Sequence, residues 1–265
     1  MALAASKIKL DVWLAKRVLF YVGENPKNIM LGIIFITFTL SMFVSNTATA
    51  AMMLTLVLPL INSLDDDDMF KKTLLLAIII AANLGGMGTI IGTPPNAIAV
   101  GALGENAPSF LGWMLIALPP AMISVAILAF VVYKVYPSKK MSINLNSIKY
   151  VEHYDDSTED FSKKPTIPSW KKKVTVVLFL STVLLWLTTP LHHIPIAVIS
   201  FLPIIGFTLF GIIDADDMNK IRWDVIILII GGLSLGLAVS KTGLDDYIVN
   251  PEKPNKRLYL RHLTP

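Results

Sequence analysis

Two stretches of the chain set hydroxyls, amides and helix breakers inside long apolar runs. The first is Ser45-Asn46-Thr47, with Thr49 close behind, inside the run Ile29 to Ile61, which has no charged residue. The second is Gly88 to Asn96, GTIIGTPPN, inside the uncharged run Thr73 to Leu103. Neither stretch contains Lys, Arg, Asp, Glu or His. A ligand bound there would meet neutral oxygens, amides and helix dipoles. Broken helices leave free carbonyls, which suit a hard cation such as sodium, and free N–H groups at helix starts, which suit an anion. The composition fits a cation and an anion held together, each partly neutralising the other. Paired interruptions of this kind point to the binding site of a membrane carrier. The competing reading of Ser-Asn-Thr alone is a polar contact that only joins helices.

The elements that would position these residues follow from the apolar runs. Ile29 to Ile61 is too long for one straight span and too short for two full ones. Ser, Asn and Thr open helices and turns. The run therefore reads as a re-entrant hairpin over 29–61, tipped by Ser45-Asn46-Thr47. Irregular backbone at membrane depth is tolerated only where protein buries it or it lines a wet cavity. Residues 73–136 read as two transmembrane segments, the first interrupted at 88–96, with a turn at 104–108 and a kink expected at Pro119-Pro120. Residues 174–240 read as three further segments. Residues 1–28 form an amphipathic cytoplasmic segment, with Leu10, Trp13, Leu14, Val18 and Tyr21 at helical spacing over Lys9 to Tyr21.

Composition agrees with a multi-pass protein of the cell (plasma or inner) membrane. The chain has 265 residues, of which 54% are hydrophobic, and its mean hydropathy is +0.64. The net charge of +4 does not suggest a nucleic-acid partner, because the lysines cluster between apolar runs. With no cysteine, disulfides and thiolate chemistry are excluded. Residues 137–173 carry eight lysines against five acids and read as a cytoplasmic linker. If 29–61 returns to its own side, every lysine-rich loop is cytoplasmic. If it crosses, the linker falls outside, against the positive-inside rule. Trp13, Trp113, Trp170 and Trp223 sit near segment ends, where amphipathic indoles belong.

Several features have plainer readings. Gly85-Gly86-Met87-Gly88 lacks the Lys-Ser/Thr of a phosphate loop. Gly232 and Gly236 suit helix packing. Asp65 to Asp68 suits a solvated turn, and His192, His193 and Glu105 suit solvated loops. No charged or His residue lies deep in an apolar run to serve as acid, base or metal ligand, which argues against an intramembrane enzyme. Leu3 to Asp11, LAASKIKLD, and Leu237 to Asp245, LAVSKTGLD, match at six of nine positions. This suggests an internal repeat, of which the chain holds one period.

VSNTATAAMML, Val44 to Leu54, followed by GGMGTIIGTPPNAIAVG, Gly85 to Gly101, resembles the divalent anion:sodium symporter family, which carries dicarboxylates, citrate or sulfate. Trp223 to Leu244 resembles that family's entry to its second repeat, and the likeness extends over residues 1 to about 246. The resemblance implies an all-α polytopic membrane protein with a re-entrant helical hairpin and interrupted transmembrane helices, one period of an inverted-repeat transporter. It implies homodimers, sodium as coupling ion with no other cofactor, and a small divalent anion as substrate. The sodium site would use Ser41, Ser45, Asn46 and backbone oxygen at Gly92. The substrate would meet Ser45, Asn46, Thr47, Thr93 and Pro94. The resemblance also implies a second Ser-Asn-Thr hairpin. Residues 247–265, a polar and aberrant tail, hold none, so a truncated chain or a non-transporting remnant or accessory subunit is the alternative expectation.

The lysine distribution generates a topology test. Single cysteines replacing Ser63, Ser138 and Met218 should be labelled from the cytoplasm, and one replacing Asn106 from outside. External labelling at position 63 would mean that 29–61 crosses.

Overall fold

The computed structural model describes residues 1–8, 13–15, 17, 21–143 and 168–244. The amphipathic stretch Lys9 to Tyr21, most of the 137–173 linker and the 247–265 tail lie largely or wholly outside these. All described elements are helices: α1 (Ala2–Lys7), α2 (Pro26–Ser41), α3 (Asn46–Asn62), α4 (Phe70–Gly86), α5 (Pro94–Leu103), α6 (Phe110–Val135), α7 (Ser169–Leu187), α8 (Thr189–His192), α9 (Ile196–Ile199), α10 (Phe201–Leu209), α11 (Ala215–Met218) and α12 (Trp223–Thr242). Two of them, α6 and α12, are long and apolar enough to cross a membrane. The chain divides into two compact units, residues 1–93 with 108–221, and residues 94–107 with 222–265.

The first unit is built on α4. Its face Leu74, Ala77, Ile78 and Ala81 packs with Ile29, Ile33, Ile36 and Leu40 of α2 and with Met53, Val57 and Leu60 of α3. These positions recur at helical spacing, so each helix buries one stripe. The α2–α4 contact is tightest at Gly85, where an added Cβ would overlap the Phe38 backbone. Small residues at such crossings let helix backbones approach and gain dispersion contacts. Buried Thr37, Thr175 and Thr182 donate to carbonyls within their own helices, at Ile33, Lys171 and Leu178, which satisfies them without a partner helix.

The charged loops of this unit gather at one end. Asp65 pairs with Lys140 at 3.2 Å, and Asp67 pairs with Lys139. Glu24, before α2, accepts from Ser142 at 2.9 Å. Thr73 at the start of α4 donates to the carbonyl of Tyr136 at the end of α6. The α2 entry, the α3–α4 loop and the start of the linker are thus neighbours, and α2 and α3 return to the end they left. At the other end of the unit, Phe110 opens α6 beside Trp186, with ring centroids 5.2 Å apart. Helix α7 therefore runs opposite to α6. Its first turn meets the α10–α11 region, with the Lys171 ammonium donating to the Gly211 carbonyl at 2.7 Å.

Three boundaries differ from the sequence reading. The interruption of 73–103 covers 87–93 rather than 88–96, because Pro94 and Pro95 open α5. Prolines fit a first helical turn, where the backbone N–H has no partner in any case. The segment expected from Ile196 to Ile213 is two helices meeting at Ser200, and it ends at Leu209, before Gly211 at φ +58°. In the second unit α5 packs with α12. There an added Cβ at Gly232 would crowd Ile98, whereas one at Gly236 would meet open space. Among the described residues, only the first of the two glycines meets a neighbour.

A buried ion pair ties the N-terminus to α11. Lys7 donates to Asp217 and, at 3.0 Å, to Asp214, and Lys220 donates to Asp217 at 3.0 Å. Asp214 caps α11 through a reciprocal capping box with Asp217. The Lys7 bond chiefly, with Lys220 assisting, holds the Asp217 carboxyl far below the usual carboxylate range against the opposing effect of burial. A carboxyl with a depressed folded pKa stabilises the fold above its unfolded value, and the contribution is lost as the pH falls toward the folded one. Asp217→Asn should therefore cost about 1–3 kcal/mol at neutral pH. Thermal melts should show the gap to the wild type unchanged down to about pH 5 and narrowing below about pH 4. A gap independent of pH would contradict the assignment.

Candidate site at the break between two helices

Helix α2 stops at Ser41 because the chain turns: Phe43 and Val44 both donate their N–H to the Leu40 carbonyl, at 3.0 and 2.9 Å. Ser45 then adopts extended backbone and caps α3, its hydroxyl accepting from the Ala48 N–H at 3.3 Å. Asn46 and Thr47 occupy the first two positions of α3, where backbone N–H groups have no carbonyl of their own helix to meet. Thr47 is exposed, Ser45 and Asn46 are half-buried, and Ser41 is fully buried. On the facing side, α4 ends at Gly86 and the chain loops through 87–93.

The two breaks meet. The Ser41 hydroxyl lies 2.6 Å from the carbonyl oxygen of Ala82 on α4 and 2.8 Å from Oδ1 of Asn46. A hydroxyl has one hydrogen, so Ser41 can donate to only one of these two oxygens at a time. The orientation of the Asn46 amide is set by its neighbour. Asn83 donates Nδ2 to the Ile79 carbonyl at 3.1 Å, which turns its Oδ1 toward Asn46 Nδ2 in a long contact of 3.5 Å. That leaves Asn46 Oδ1 facing Ser41. Turning the Asn46 amide over would set two oxygens against each other at Asn83.

Glycines make this approach possible. An added Cβ at Gly86 would overlap the Asn46 carboxamide, and one at Gly92 would overlap the Gly86 carbonyl. Gly92 thus stacks on Gly86, and Gly86 on Asn46. Thr89, buried in the loop, donates its hydroxyl to the Met42 carbonyl and fastens one break to the other. Trp113 of α6 donates Nε1 to the Met87 carbonyl at 3.1 Å. Phe43 at the turn meets Phe179 edge to face, with centroids 5.7 Å apart. Phe179 is in the middle of α7, which spans about 28 Å at 1.5 Å per residue.

Of the residues singled out in the sequence, Ser41, Ser45, Asn46, Thr47 and Gly92 come together around this junction. Thr93 ends the same loop, half-buried. Pro94 opens α5 in the second unit. Sequence reading assigns no site role to Asn83 or Gly86, and it takes Thr89 only as part of the Gly88–Asn96 stretch. Asn83 is a polar residue within an apolar run, the same signal that marks Asn46. Gly86 falls only within the Gly85–Gly101 motif. Among the described residues no cluster of His, Cys, Asp and Glu could hold a metal ion, so any cation here would rest on neutral oxygens.

A polar helix break facing a glycine-rich loop, in described residues that are helical and include two helices of membrane length, is consistent with a membrane transporter. Residues 1–255 match the citrate transporter family, and the chain belongs to it. The resemblance read from the Ser-Asn-Thr and Gly-Thr-Pro-Pro-Asn motifs thus holds at the level of family, and the protein is a membrane protein of a transporter family rather than an enzyme family. The chain is 31% identical over 235 residues to the low-affinity phosphate transporter PHO90 of Saccharomyces cerevisiae, covering 85% of this chain and 24% of that protein. It is 30% identical over 288 residues to the sodium-dependent dicarboxylate transporter SdcS of Staphylococcus saprophyticus, covering 94% of this chain and 52% of that one. It is 28% identical to the inorganic phosphate transporter PHO87 of Saccharomyces cerevisiae, covering 91% of this chain and 25% of that protein. The chain spans about a quarter to a half of the length of these relatives.

The glycine contacts give a direct test. Gly86→Ala should lower stability by about 1–3 kcal/mol through overpacking, because the methyl displaces the Asn46 amide. Gly231→Ala, with nothing near its Cβ position, should be neutral. Equal thermal shifts for the two variants would contradict the close approach of Gly86 to Asn46.

Proposed function

We propose that the chain carries a sodium-coupled site for small divalent anions, within a secondary active transporter of dicarboxylates, citrate or a related oxyanion. One observation carries the reading: Ser41 Oγ, Asn46 Oδ1 and the Ala82 carbonyl converge, and the single Ser41 hydrogen can serve only one of its two contacts. Surplus acceptors in an apolar setting are costly unless a cation or further donors meet them. Sodium is a hard cation suited to such oxygens, and Ser45, next to Asn46, and the Gly92 backbone, stacked on Gly86, would complete its shell. The anion binds beside it, at the start of α3. There the Asn46 and Thr47 N–H groups and the helix dipole favour negative charge, with the Thr47 hydroxyl and Thr93 shaping the pocket.

In this reading α2 and α3 form a re-entrant hairpin. Support comes from the shared end of Glu24, Asp65 and Lys140 and from the contact of Phe43 with the middle of α7. The lysine-rich end then faces the cytoplasm, as the positive-inside rule requires. Phosphate is the second candidate anion, favoured by the similarity to two phosphate transporters. Both candidates are divalent oxyanions, and the site described has no fixed charge with which to distinguish them.

Asn46 separates cation from anion. Its amide can offer an oxygen to one and an N–H to the other. Sodium should raise the melting temperature of the detergent-purified protein, and succinate, citrate or phosphate should raise it further only with sodium present. Asn46→Ala should lose both effects. Asn46→Asp keeps the shape and adds a negative charge, so the sodium shift should persist while the anion shift disappears. An unchanged anion response in Asn46→Asp would remove Asn46 from the anion site and leave Ser45-Asn46-Thr47 as a helix contact.

A further inference from the structure

A groove of about 460 Å³ opens between the first turns of α2 and the last turns of α6, away from the helix break. Its lining divides by chemistry. Met30 and Leu31 of α2 and Ala126, Ala129 and Phe130 of α6 form apolar walls, and Lys27 and Lys134 stand at the charged end. On α6 the lining residues fall three and four apart, which makes one helix face. Ala126 and Ala129 are small, so the face is hollow between Leu31 and Phe130, which are 46% and 63% exposed.

Lys27 and Lys134 stand apart from the paired charges around them, as does Lys72, which lies over the Tyr136 ring at 5.5 Å. At this end Asp65 is held by Lys140, Asp66 by Lys71 and Asp67 by Lys139. Among the described residues Lys27 and Lys134 form no ion pair. Lys134 lies over the Phe130 ring at 5.6 Å, a cation–π contact that aims its ammonium along the groove. Two free ammonium groups at the end of a membrane-length helix, above an apolar hollow, match a molecule with an anionic head and an aliphatic tail. A soluble acidic peptide would meet the charge but not the exposed Leu31 and Phe130 below it.

We propose that this groove binds one anionic phospholipid of the cytoplasmic leaflet, with its phosphate between Lys27 and Lys134 and an acyl chain along Leu31, Ala126 and Phe130. The groove is separate from the Ser41–Asn46 junction, and the proposal does not depend on what that junction binds. A lipid seated there would hold the start of α2 against α6 from the membrane side.

Native mass spectrometry of the full chain in detergent, with added phosphatidylglycerol or phosphatidylcholine, tests this. One phosphatidylglycerol per chain should be retained about 25-fold better than phosphatidylcholine, since each of the two lysines near the headgroup contributes roughly fivefold. Lys27→Gln/Lys134→Gln should bring the two lipids level. Lys139→Gln/Lys140→Gln, which removes paired lysines, should leave the preference intact. Ala126→Phe fills the exposed mouth of the groove without entering the core and should lose phosphatidylglycerol with both lysines present. Size-exclusion profiles establish that each variant is folded, and Lys27→Gln or Lys134→Gln alone should each show part of the effect. Equal retention of both lipids by the wild type would overturn the proposal. So would an unchanged preference in the Lys27/Lys134 double variant, or protection by soluble glycerol 3-phosphate equal to that by phosphatidylglycerol, which would make it a free-anion site.

Discussion

The single proton of Ser41 is the constraint around which the first unit is arranged. Its hydroxyl reaches an α4 carbonyl and the Asn46 amide together, which forces the end of α2, the start of α3 and the last turns of α4 into one place. Each can come that near only because Gly85 and Gly86 carry no side chain. The apolar stripes of α2, α3 and α4 would pack in several registers, since aliphatic surfaces are tolerant of sliding. The polar junction admits one register. In a membrane, where there is little hydrophobic drive between helices, such close glycine contacts and interhelical hydrogen bonds supply much of the specificity.

In the proposed reading, neutral groups at the same junction suffice for a charged ligand. An isolated ion at this depth would meet a large desolvation penalty. Oxygens already fixed by the fold need little reorganisation to receive a cation, and a bound cation lowers the cost of an anion at the adjacent helix start. Neither ligand requires a permanent charge on the protein. That agrees with an uncharged stretch from Ile29 to Ile61, and it leaves the fixed charges to the loops, where they bind loop to loop and set orientation.

Much of this was legible in the sequence because membrane segments obey strong local rules. Ser45 reads as a helix cap from its type and place, and it caps α3. The Gly88–Asn96 breakers announce a loop, though Pro94 and Pro95 belong to the following helix. Asn83 and Gly86 were not legible as site residues. Asn83 carries the polar-in-apolar signal but matters through an amide on another helix, and Gly86 matters through a Cβ that it lacks, so neither partner can be read from the sequence. The break at Ser200 was also hidden, because one serine in the otherwise largely apolar run Ile196 to Leu209 barely changes its hydropathy, which does not register a turn. The Lys27–Lys134 groove depends on which lysines find acids, a tertiary fact that composition does not contain.

The central claim is that the break between α2 and α3 is a wet, ligand-occupied site and not a dry helix contact. The chain has no cysteine, so a single one replacing the exposed Ala48 is a unique reporter on the first turn of α3. The rate of its reaction with a membrane-impermeant thiol reagent, in vesicles of known orientation, is the most direct measurement. The account predicts labelling from the aqueous phase, slowed by sodium and slowed further by sodium together with succinate, citrate or phosphate. A thiol that reacts only with membrane-permeant reagents, or one whose rate ignores both sodium and anion, would contradict it.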